Sequence, residues 1–319
     1  MSTHPSLGRA AVRVLGATGQ LAAVAVVVFL LTTLLPGDTA EVVLGPDARP
    51  EQIAILRGQL GLDRPVWERF ADWVAGLLHG DLGTSLLTGR PVGEDLSARF
   101  GLTGLLAVLA VAVMVPLAVG AGLLGGRRPG SPADRLLTAG MTVAQAIPDF
   151  ALGLLLVALF ALQLGWLPAT AAGSVGWSGL DAAMFVLPVA ILVSNQLGRL
   201  ARQVRIGVVE IDAAEHVAHL RRLGLSERTV LARHVLPGAL VPSVQQLARV
   251  VDGLLGGVVI VEALFVLPGI GSGFATAVQT RDLPVVQAYA LLFAATTVLV
   301  NLAGDLLSDR LVPQRVMLA

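Results

Sequence analysis

Long apolar stretches alternate with shorter polar segments along the whole sequence. Six stretches are close to the length of about 20 residues that a helix needs to cross a bilayer. They lie at about 13–35, 101–124, 137–164, 181–200, 239–266 and 285–308. The fourth is the weakest, because Asn195, Gln196 and Arg199 lie near its end. The pattern predicts an all-α polytopic membrane protein with six transmembrane helices and both termini on one side.

These stretches divide the chain into four predicted segments. The segments are 1–35, with the first transmembrane helix; 36–100, extracytoplasmic; 101–312, a transmembrane core with a cytoplasmic loop at 201–237; and 313–319, a tail. Arg9 and Arg13 precede the first apolar stretch, as in a signal peptide. That stretch is longer than the usual apolar region of about 7–15 residues and no A-x-A site follows it, which favours an uncleaved helix.

The arginines predict the orientation. The predicted inner segments carry fourteen of the 22 basic residues, whereas the short outer loops, 165–180 and 267–284, carry only Arg281. Positive charge collects on the cytoplasmic side, so both termini are predicted to be cytoplasmic. The long segment 36–100 holds six arginines and ten acidic residues, but long loops count little in this rule.

The segment 36–100 has its own helical pattern. Apolar positions recur at helical spacing over 50–60 and 66–78, and a turn-rich stretch follows at 80–85. Such a segment can cap the outer mouth of a pore or bind an external partner. A packed extracytoplasmic subdomain is compatible with both functions.

Composition excludes several kinds of chemistry. The chain is 55% hydrophobic and 14% charged, against about 25% charged residues in soluble domains. Its net charge is zero, so nothing indicates a nucleic-acid partner. It has no cysteine and no lysine, which excludes disulfides, thiolate catalysis and a Walker A phosphate loop. We therefore predict no cofactor in this chain, and any ATPase must be another chain.

An arginine-rich island lies at 210–242 between two apolar stretches. We predict a helix over 204–223, because Gly207 is its only glycine and it has no proline. Gly224 would end that helix, and Ser226 would cap a second one that ends near Pro237. A soluble domain could grip such a helix pair. The alternative is a basic loop that only fixes topology or touches anionic lipid.

Several motifs carry a resemblance to a known family. Gly224 followed by Leu236-Pro237 resembles the EAA loop of permease subunits in ABC importers. Further elements are similar to those of the dipeptide, oligopeptide and nickel permeases: LGLDRP at 60–65, HGDLGTS at 79–85, TGRPV at 88–92, IPDF at 147–150 with Gly153, Glu262 with PGIG at 268–271, and RDLPVVQ at 281–287. The ordered set covers about 13–312 and resembles the B-type permease, which has the long first outer segment.

The resemblance implies a location and partners. The chain would lie in the bacterial plasma (inner) membrane, in contact with lipid, and pair with a second homologous permease subunit. Two cytoplasmic ATPase subunits would bind ATP and Mg, and an extracytoplasmic substrate-binding protein would deliver the substrate. Docking of that protein is predicted at Asp81, Thr84, Ser85, Arg281 and Asp282.

The resemblance also implies that the island couples the membrane helices to the ATPases. The implied coupling residues are Ala214, Glu215, His216, Val217, Ala218, His219, Leu220, Arg221, Arg222, Gly224, Leu236 and Pro237. Family members usually read close to DYVRTARAKG where this chain reads EHVAHLRRLG. His216 and His219 are three residues apart, but packing against a partner is favoured over metal binding, and no metal site is predicted.

Polar residues inside apolar stretches are costly and therefore candidate functional groups. The candidates for the pore or a gate are Gln145, Asp149, Asn195, Gln196 and Glu262. Hydrogen bonding between helices is the competing interpretation of each one.

Three function classes remain in comparison. The first is a non-catalytic permease subunit of an ATP-driven importer of di- and oligopeptides, with nickel, glutathione or another small solute as alternative substrates. The second is a self-sufficient secondary transporter or channel, which would need a coupling carboxylate such as Glu262 or Asp305. The third, an intramembrane hydrolase, is disfavoured because no paired catalytic motif is present and no catalytic residue is predicted.

Overall fold

A computed structural model describes residues 5–34, 39–45, 47–172, 179 and 181–311. Helices dominate, and the described residues form no strand beyond an isolated bridge between Thr84 and Pro91. The α-helices are α1 (Pro5–Thr33), α2 (Thr39–Leu44), α3 (Pro50–Gln59), α4 (Val66–Leu78), α5 (Val92–Arg127), α6 (Pro132–Ala146), α7 (Asp149–Leu156), α8 (Val186–Asp212), α9 (Glu215–Arg222), α10 (Glu227–Val230), α11 (Leu236–Phe265), α12 (Ile270–Gln279) and α13 (Leu283–Leu311). The predicted tail, 313–319, lies outside the described residues.

The all-α polytopic class predicted from the sequence is confirmed. Four helices of the described chain are long and apolar enough to cross a membrane: Ala11–Thr33, Val92–Arg127, Ala182–Asp212 and Leu283–Leu307. Two bent pairs correspond to the other predicted stretches, Pro132–Ala146 with Asp149–Gln163 and Glu227–Phe265 with Ile270–Gln279. The count of six spans therefore holds if each bent pair crosses the membrane once. The helices predicted at 50–60 and 66–78 are confirmed as α3 and α4.

The predicted apolar stretch 137–164 is not one straight helix. The chain bends by 102° between α6 and the helical stretch Asp149–Gln163. Ile147 leaves the helix with ψ of 123°, directly before Pro148. A proline ring clashes with a helical residue before it, so Ile147 takes an extended conformation. The apolar pattern runs through the bend unchanged, so only Pro148 marks the bend in the sequence.

Two expectations for the cytoplasmic island are wrong. The single helix predicted over 204–223 is broken, because α8 ends at Asp212 and Ala214 is extended, with ψ of 144°. No glycine or proline marks this break. The break is stabilised by tertiary contacts, because it lets Val217 of α9 pack into a buried cluster with Val204 and Val208 of α8.

The helix after Ser226 does not end near Pro237. It passes through a wide π-helical turn, Leu231–Val235, into α11. The N–H of Leu236 bonds the carbonyl of Leu231, five residues earlier. Proline lacks an N–H and crowds the preceding helical turn. A π turn just before Pro237 supplies the extra space while the helical path continues.

The described chain forms two compact units. Unit 1 comprises the described parts of 1–10, 104–267 and 299–319, and unit 2 comprises those of 11–103 and 268–298. The four segments predicted from the sequence were defined by their predicted side of the membrane. The contacts within the two units do not test those boundaries.

In unit 1, α8 is packed against α5, α6, α7 and α11. Its approach to α5 depends on two glycines one helical turn apart. A Cβ at Gly122 would lie 2.6 Å from the Cβ of Val204, and a Cβ at Gly126 would lie 2.7 Å from that of Val208. Small residues at this spacing let two helices approach closely. The resulting van der Waals contacts stabilise helix association in lipid, where the hydrophobic effect contributes little to it.

Unit 2 has an apolar core formed by the start of α5 together with α12 and α13. Its members are Val92, Leu96, Ile270, Ala277, Val285, Val286, Ala288 and Tyr289. The Tyr289 hydroxyl donates to Asp95 at 2.5 Å, and the Thr103 hydroxyl accepts the N–H of Ile270 at 2.9 Å. On α1, Phe29 contacts the rings of Phe70 and Trp73 of α4. These contacts fold the segment after α1 onto helices of its own unit.

Replacing Gly122 by Val tests the close approach of α5 and α8. The added side chain overlaps Val204, and we expect a loss of stability of about 1–3 kcal/mol from overpacking. The readout is the apparent Tm of the detergent-extracted protein. Gly120→Val is the matched control, because nothing lies within 4 Å of a Cβ at Gly120. Equal Tm values for the two variants would contradict the packing described.

Candidate functional site

The short helix α9, called the loop helix below, has well-defined ends. It begins after the extended Ala214, and Gly224 follows it with φ of 83°, a conformation that favours glycine. The predicted stop at Gly224 is therefore confirmed. Ser226 accepts the N–H of Thr229 at 3.3 Å, which confirms the predicted cap of the next helix. The loop helix is thus a separate rigid element between α8 and α10.

One side of the loop helix is buried. Val217 has no exposed surface and packs with Val204, Val208, Val230, Val235 and Ala239. Leu220, a helical turn further on, is partly buried against the same cluster. These residues belong to α8, α10, the π turn and α11, so the loop helix is packed against several other elements of unit 1.

The other side of the loop helix is exposed. Its residues recur at helical spacing and consist of Glu215, His216, His219, Arg222 and Leu223. Leu223 is 63% exposed, although it is apolar. We call this set the exposed face. Its mixture of imidazole, arginine and leucine side chains suits a partner surface rather than a lipid surface.

Arg221 links the loop helix to both neighbouring helices. It donates to the side chain of Asp212 at 2.5 Å and to that of Glu227 at 2.8 Å. A third bond of 3.3 Å goes to the backbone carbonyl of Asp212. Glu227 and Asp212 raise the pKa of Arg221, because both stabilise its charged form. Arg221 therefore holds the orientation of the loop helix relative to the end of α8 and the start of α10.

The remaining predicted coupling residues lie around this arrangement. Ala214 and Ala218 are partly buried, whereas Gly224 is exposed at the turn. Leu236 and Pro237 lie at the start of α11, after the π turn, with Pro237 exposed. The predicted set thus separates into a buried side, an exposed face and two flanking turns.

Four of the five candidate pore residues contact a neighbouring helix in unit 1. Asn195 on α8 donates to Asp149 on α7 at 2.8 Å. Gln196, buried on α8, lies against Gly253, where a Cβ would be 2.7 Å from its Nε2 atom. Gln145 on α6 lies against Gly198 in the same close manner. Polar side chains therefore meet helix backbones at positions where a glycine leaves room.

Two of these amides are incompletely bonded. The Nε2 atom of Gln145 and the Oε1 atom of Gln196 are buried without a hydrogen-bond partner. An unpaired buried polar group costs about 1–3 kcal/mol. These atoms favour an arrangement of helices, or a water molecule, that completes their hydrogen bonds. The fifth candidate, Glu262, is fully buried near the end of α11, and its backbone carbonyl accepts the N–H of Leu267.

Two of the five predicted docking residues, Ser85 and Asp282, are in direct contact in unit 2. Ser85 donates to Asp282 at 2.5 Å, and the same carboxylate accepts the N–H of Leu86 at 3.1 Å. Both side chains are buried, so they join two distant segments of unit 2 rather than form its surface. Asp81, whose carboxylate accepts the N–H of Gly83, and Thr84 are exposed, and Arg281 is partly buried. Docking at these residues stays a prediction.

One strong ion pair was not expected from the sequence. Arg205 on α8 donates two hydrogen bonds to Asp134 on α6, of 2.6 and 2.7 Å. Asp134 is buried and also accepts the N–H of Gly130. Asp134 follows the helix-capping residue Ser131 by three positions, and that capping pattern was the available signal for its local role. The sequence holds no signal for its pairing with Arg205, 71 residues away.

Comparison with known proteins gives matches over nearly the whole chain. Residues 114–316 match the family described as "Binding-protein-dependent transport system inner membrane component". Residues 9–103 match its companion, "Binding-prot-dependent transport system membrane comp, N-term".

Curated relatives agree with these matches. The glutathione transport system permease protein GsiC of Salmonella typhimurium is 38% identical over 302 residues, which cover 92% of this chain and 94% of that protein. GsiC of Escherichia coli K12 is 35% identical over 298 residues with the same coverage. Among solved structures, an amino acid ABC transporter crystallised with histidines matches with a TM-score of 0.52 at 17% identity, over 68% of this chain and 94% of that one. The last likeness concerns the fold alone.

Replacing Arg221 by Gln should loosen the loop helix. The variant loses the charge-assisted bonds to Asp212 and Glu227, so local opening becomes easier. We expect backbone amides of Glu215–Arg222 to exchange with solvent about tenfold faster, measured by hydrogen exchange with mass spectrometry. Arg222→Gln is the control, because Arg222 is exposed and pairs with no described residue. Unchanged exchange in Arg221→Gln would show that the valine cluster alone orients the helix.

Proposed function

The chain belongs to the family of binding-protein-dependent transport system inner membrane components and is a permease subunit of an ABC importer, and we propose that it imports short peptides. In this proposal, it forms half of the pore, together with a second homologous permease. Both termini and the loop helix face the cytoplasm, as the arginine distribution indicates. A substrate-binding protein docks on unit 2 from outside.

The loop helix is the proposed site of coupling to the ATPases. Its exposed face offers a contact surface of charged, imidazole and apolar groups. Its buried side packs on α8, α10 and α11 through Val217, and Arg221 fixes its orientation. A push on the exposed face is then transmitted to those helices as a rigid displacement. The observation that carries the proposal is this division of one eight-residue helix into a free face and a fixed side.

The proposed cycle needs no chemistry from this chain. Two ATPase subunits, which bind ATP and Mg, close on each other and move both loop helices of the permease pair. The pore then changes from inward-facing to outward-facing, and the binding protein releases its substrate into it. The relatives are named as transport components, in keeping with a non-catalytic subunit.

Short peptides are the proposed substrate class, and glutathione is the first candidate within it. The family resemblance indicates the di- and oligopeptide permeases, and the relatives named above are glutathione permeases. Glutathione is itself a tripeptide, so both indications agree on a small, flexible and charged peptide. The partner binding protein would make most of the selection.

Replacing Leu223 by Asp tests the coupling site. A carboxylate in place of the exposed leucine should weaken a partly apolar contact, so we expect the ATPase subunits to copurify at least about tenfold less well. ATPase stimulation by the loaded binding protein should fall with it in proteoliposomes. Leu78→Asp is the matched control for copurification alone: Leu78 is 82% exposed on α4, but it belongs to unit 2, on which the binding protein is proposed to dock.

Two outcomes contradict the coupling proposal. Normal ATPase association and uptake in Leu223→Asp, and in a variant with 213–223 replaced by a Gly/Ser linker, would exclude the loop helix as the coupling element. Proton-driven uptake by the chain alone in vesicles would favour a secondary transporter.

Uptake assays in proteoliposomes test the substrate. With the cognate binding protein and ATP, we expect radiolabelled glutathione or a dipeptide to accumulate at least about tenfold above the level without ATP. Unlabelled glutathione and the unlabelled dipeptide are then added separately as competitors, and the substrate that lowers uptake more is the preferred one. Accumulation of Ni²⁺ without competition by either peptide would contradict the proposed class.

A further inference from the structure

An open groove lies between α6 and α8 within unit 1. Its volume is about 460 Å³, which is in the range of small-ligand sites. The two helices run antiparallel along it, because Asp134 meets Arg205 at one end and Met141 meets Gly198 at the other. Seven residues separate the two ends on each helix, which corresponds to about 10 Å of helix.

Three arginines line one end of this groove. Arg205 is bound to Asp134, which offsets its charge. Arg135 and Arg202 are exposed, and their guanidinium groups make no hydrogen bond or ion pair in the described part of the chain. The end of the groove therefore carries an excess of two positive charges, and both free guanidinium groups can bind the oxygens of a phosphate.

The rest of the groove is apolar. Its lining continues from the arginines along Leu137, Thr138 and Met141 of α6 and Ala201 of α8. Thr138 and Ala139 are exposed, so this side is open along its length. A ligand that fits has a compact anionic head beside the arginines and an apolar portion along the helices. An inorganic anion would leave the apolar part of the groove unfilled.

We propose that this groove binds an anionic phospholipid, with its phosphate between Arg135 and Arg202 and part of one acyl chain on the apolar lining. Basic pockets between membrane helices on the cytoplasmic side suit such head groups. The arginines lie at the start of α6 and the second half of α8, which the charge distribution assigns to the inner leaflet. The site is separate from the loop helix, and the inference goes beyond the transport function.

The bound lipid would bridge two elements that the pore depends on. α6 leads directly to the 102° bend, and α8 leads to the loop helix. The Asp134–Arg205 ion pair already joins these helices beside the groove. A lipid phosphate that binds one arginine from each helix adds a second link, and the lipid composition of the inner leaflet then affects how firmly the helices are held together.

The test is native mass spectrometry of the chain, purified in mild detergent with the subunits that copurify with it. Delipidated protein is titrated with phosphatidylglycerol, with phosphatidylethanolamine as the zwitterionic reference. The double variant Arg135→Gln, Arg202→Gln should bind phosphatidylglycerol on the order of thirtyfold more weakly, given the usual contribution of a basic residue at an anionic membrane surface. The control, Arg128→Gln with Arg199→Gln, removes two exposed arginines that do not line the groove.

A second pair of variants tests the apolar part without changing charge. Thr138→Phe fills the groove and should also weaken lipid binding. Thr142→Phe places the same ring one turn further along α6, at an exposed position outside the lining, and should leave binding unchanged.

Three results would overturn the proposal. The first is equal binding of phosphatidylglycerol by the wild type and the arginine double variant. The second is displacement of the lipid by millimolar inorganic phosphate, which would identify a free-anion site. The third is loss of the copurifying permease in the double variant at unchanged lipid binding, which would show that a protein covers the groove. Lipid binding is measured without ATP or substrate, so failure of the transport proposal would not change it.

Discussion

The structure depends on the requirement that backbone polar groups inside a bilayer find partners within the protein. Helices meet that requirement locally, and most of the described chain is helical. Two departures lie at prolines: the chain bends at Ile147-Pro148 and widens into a π turn before Pro237. Because apolar burial gives little drive for helices to associate in lipid, close packing at Gly122 and Gly126 and buried polar contacts such as Asn195 with Asp149 have to supply it.

The loop helix has eight residues, and its surroundings keep it ordered. A helix of this length is unstable alone in water, so its order derives from tertiary contacts. Val217 provides the apolar contact and Arg221 the polar one, and both join the loop helix to neighbouring helices of unit 1. All five residues of the exposed face are left without a structural role within the chain, which is the condition for using them to contact a partner.

Much of this architecture was accessible from the sequence, because helix length, hydropathy and capping are local properties. The apolar stretches, the stop at Gly224 and the cap at Ser226 follow from residue type and spacing. The break at Ala213-Ala214 does not, because its cause is the burial of Val217 among residues up to 22 positions away. The pairing of Asp134 with Arg205 and of Ser85 with Asp282 has no local signal, since each joins segments far apart in the chain. The burial of Ser85 and Asp282 likewise cannot be read from their polarity.

The bond between Ser85 and Asp282 has a consequence for the order in which the protein is made. Its two residues are 197 positions apart, and Gln287 binds Thr32 across 255 positions. Unit 2 thus combines a segment that is synthesised early, 11–103, with one that is synthesised much later, 268–298. Its early part stays without its final partners during most of synthesis, while the intervening helices enter the membrane. A chain that ends before residue 268 lacks the partners of Ser85 and Thr32, so the early part of unit 2 keeps polar groups and apolar surface that residues 268–298 otherwise cover.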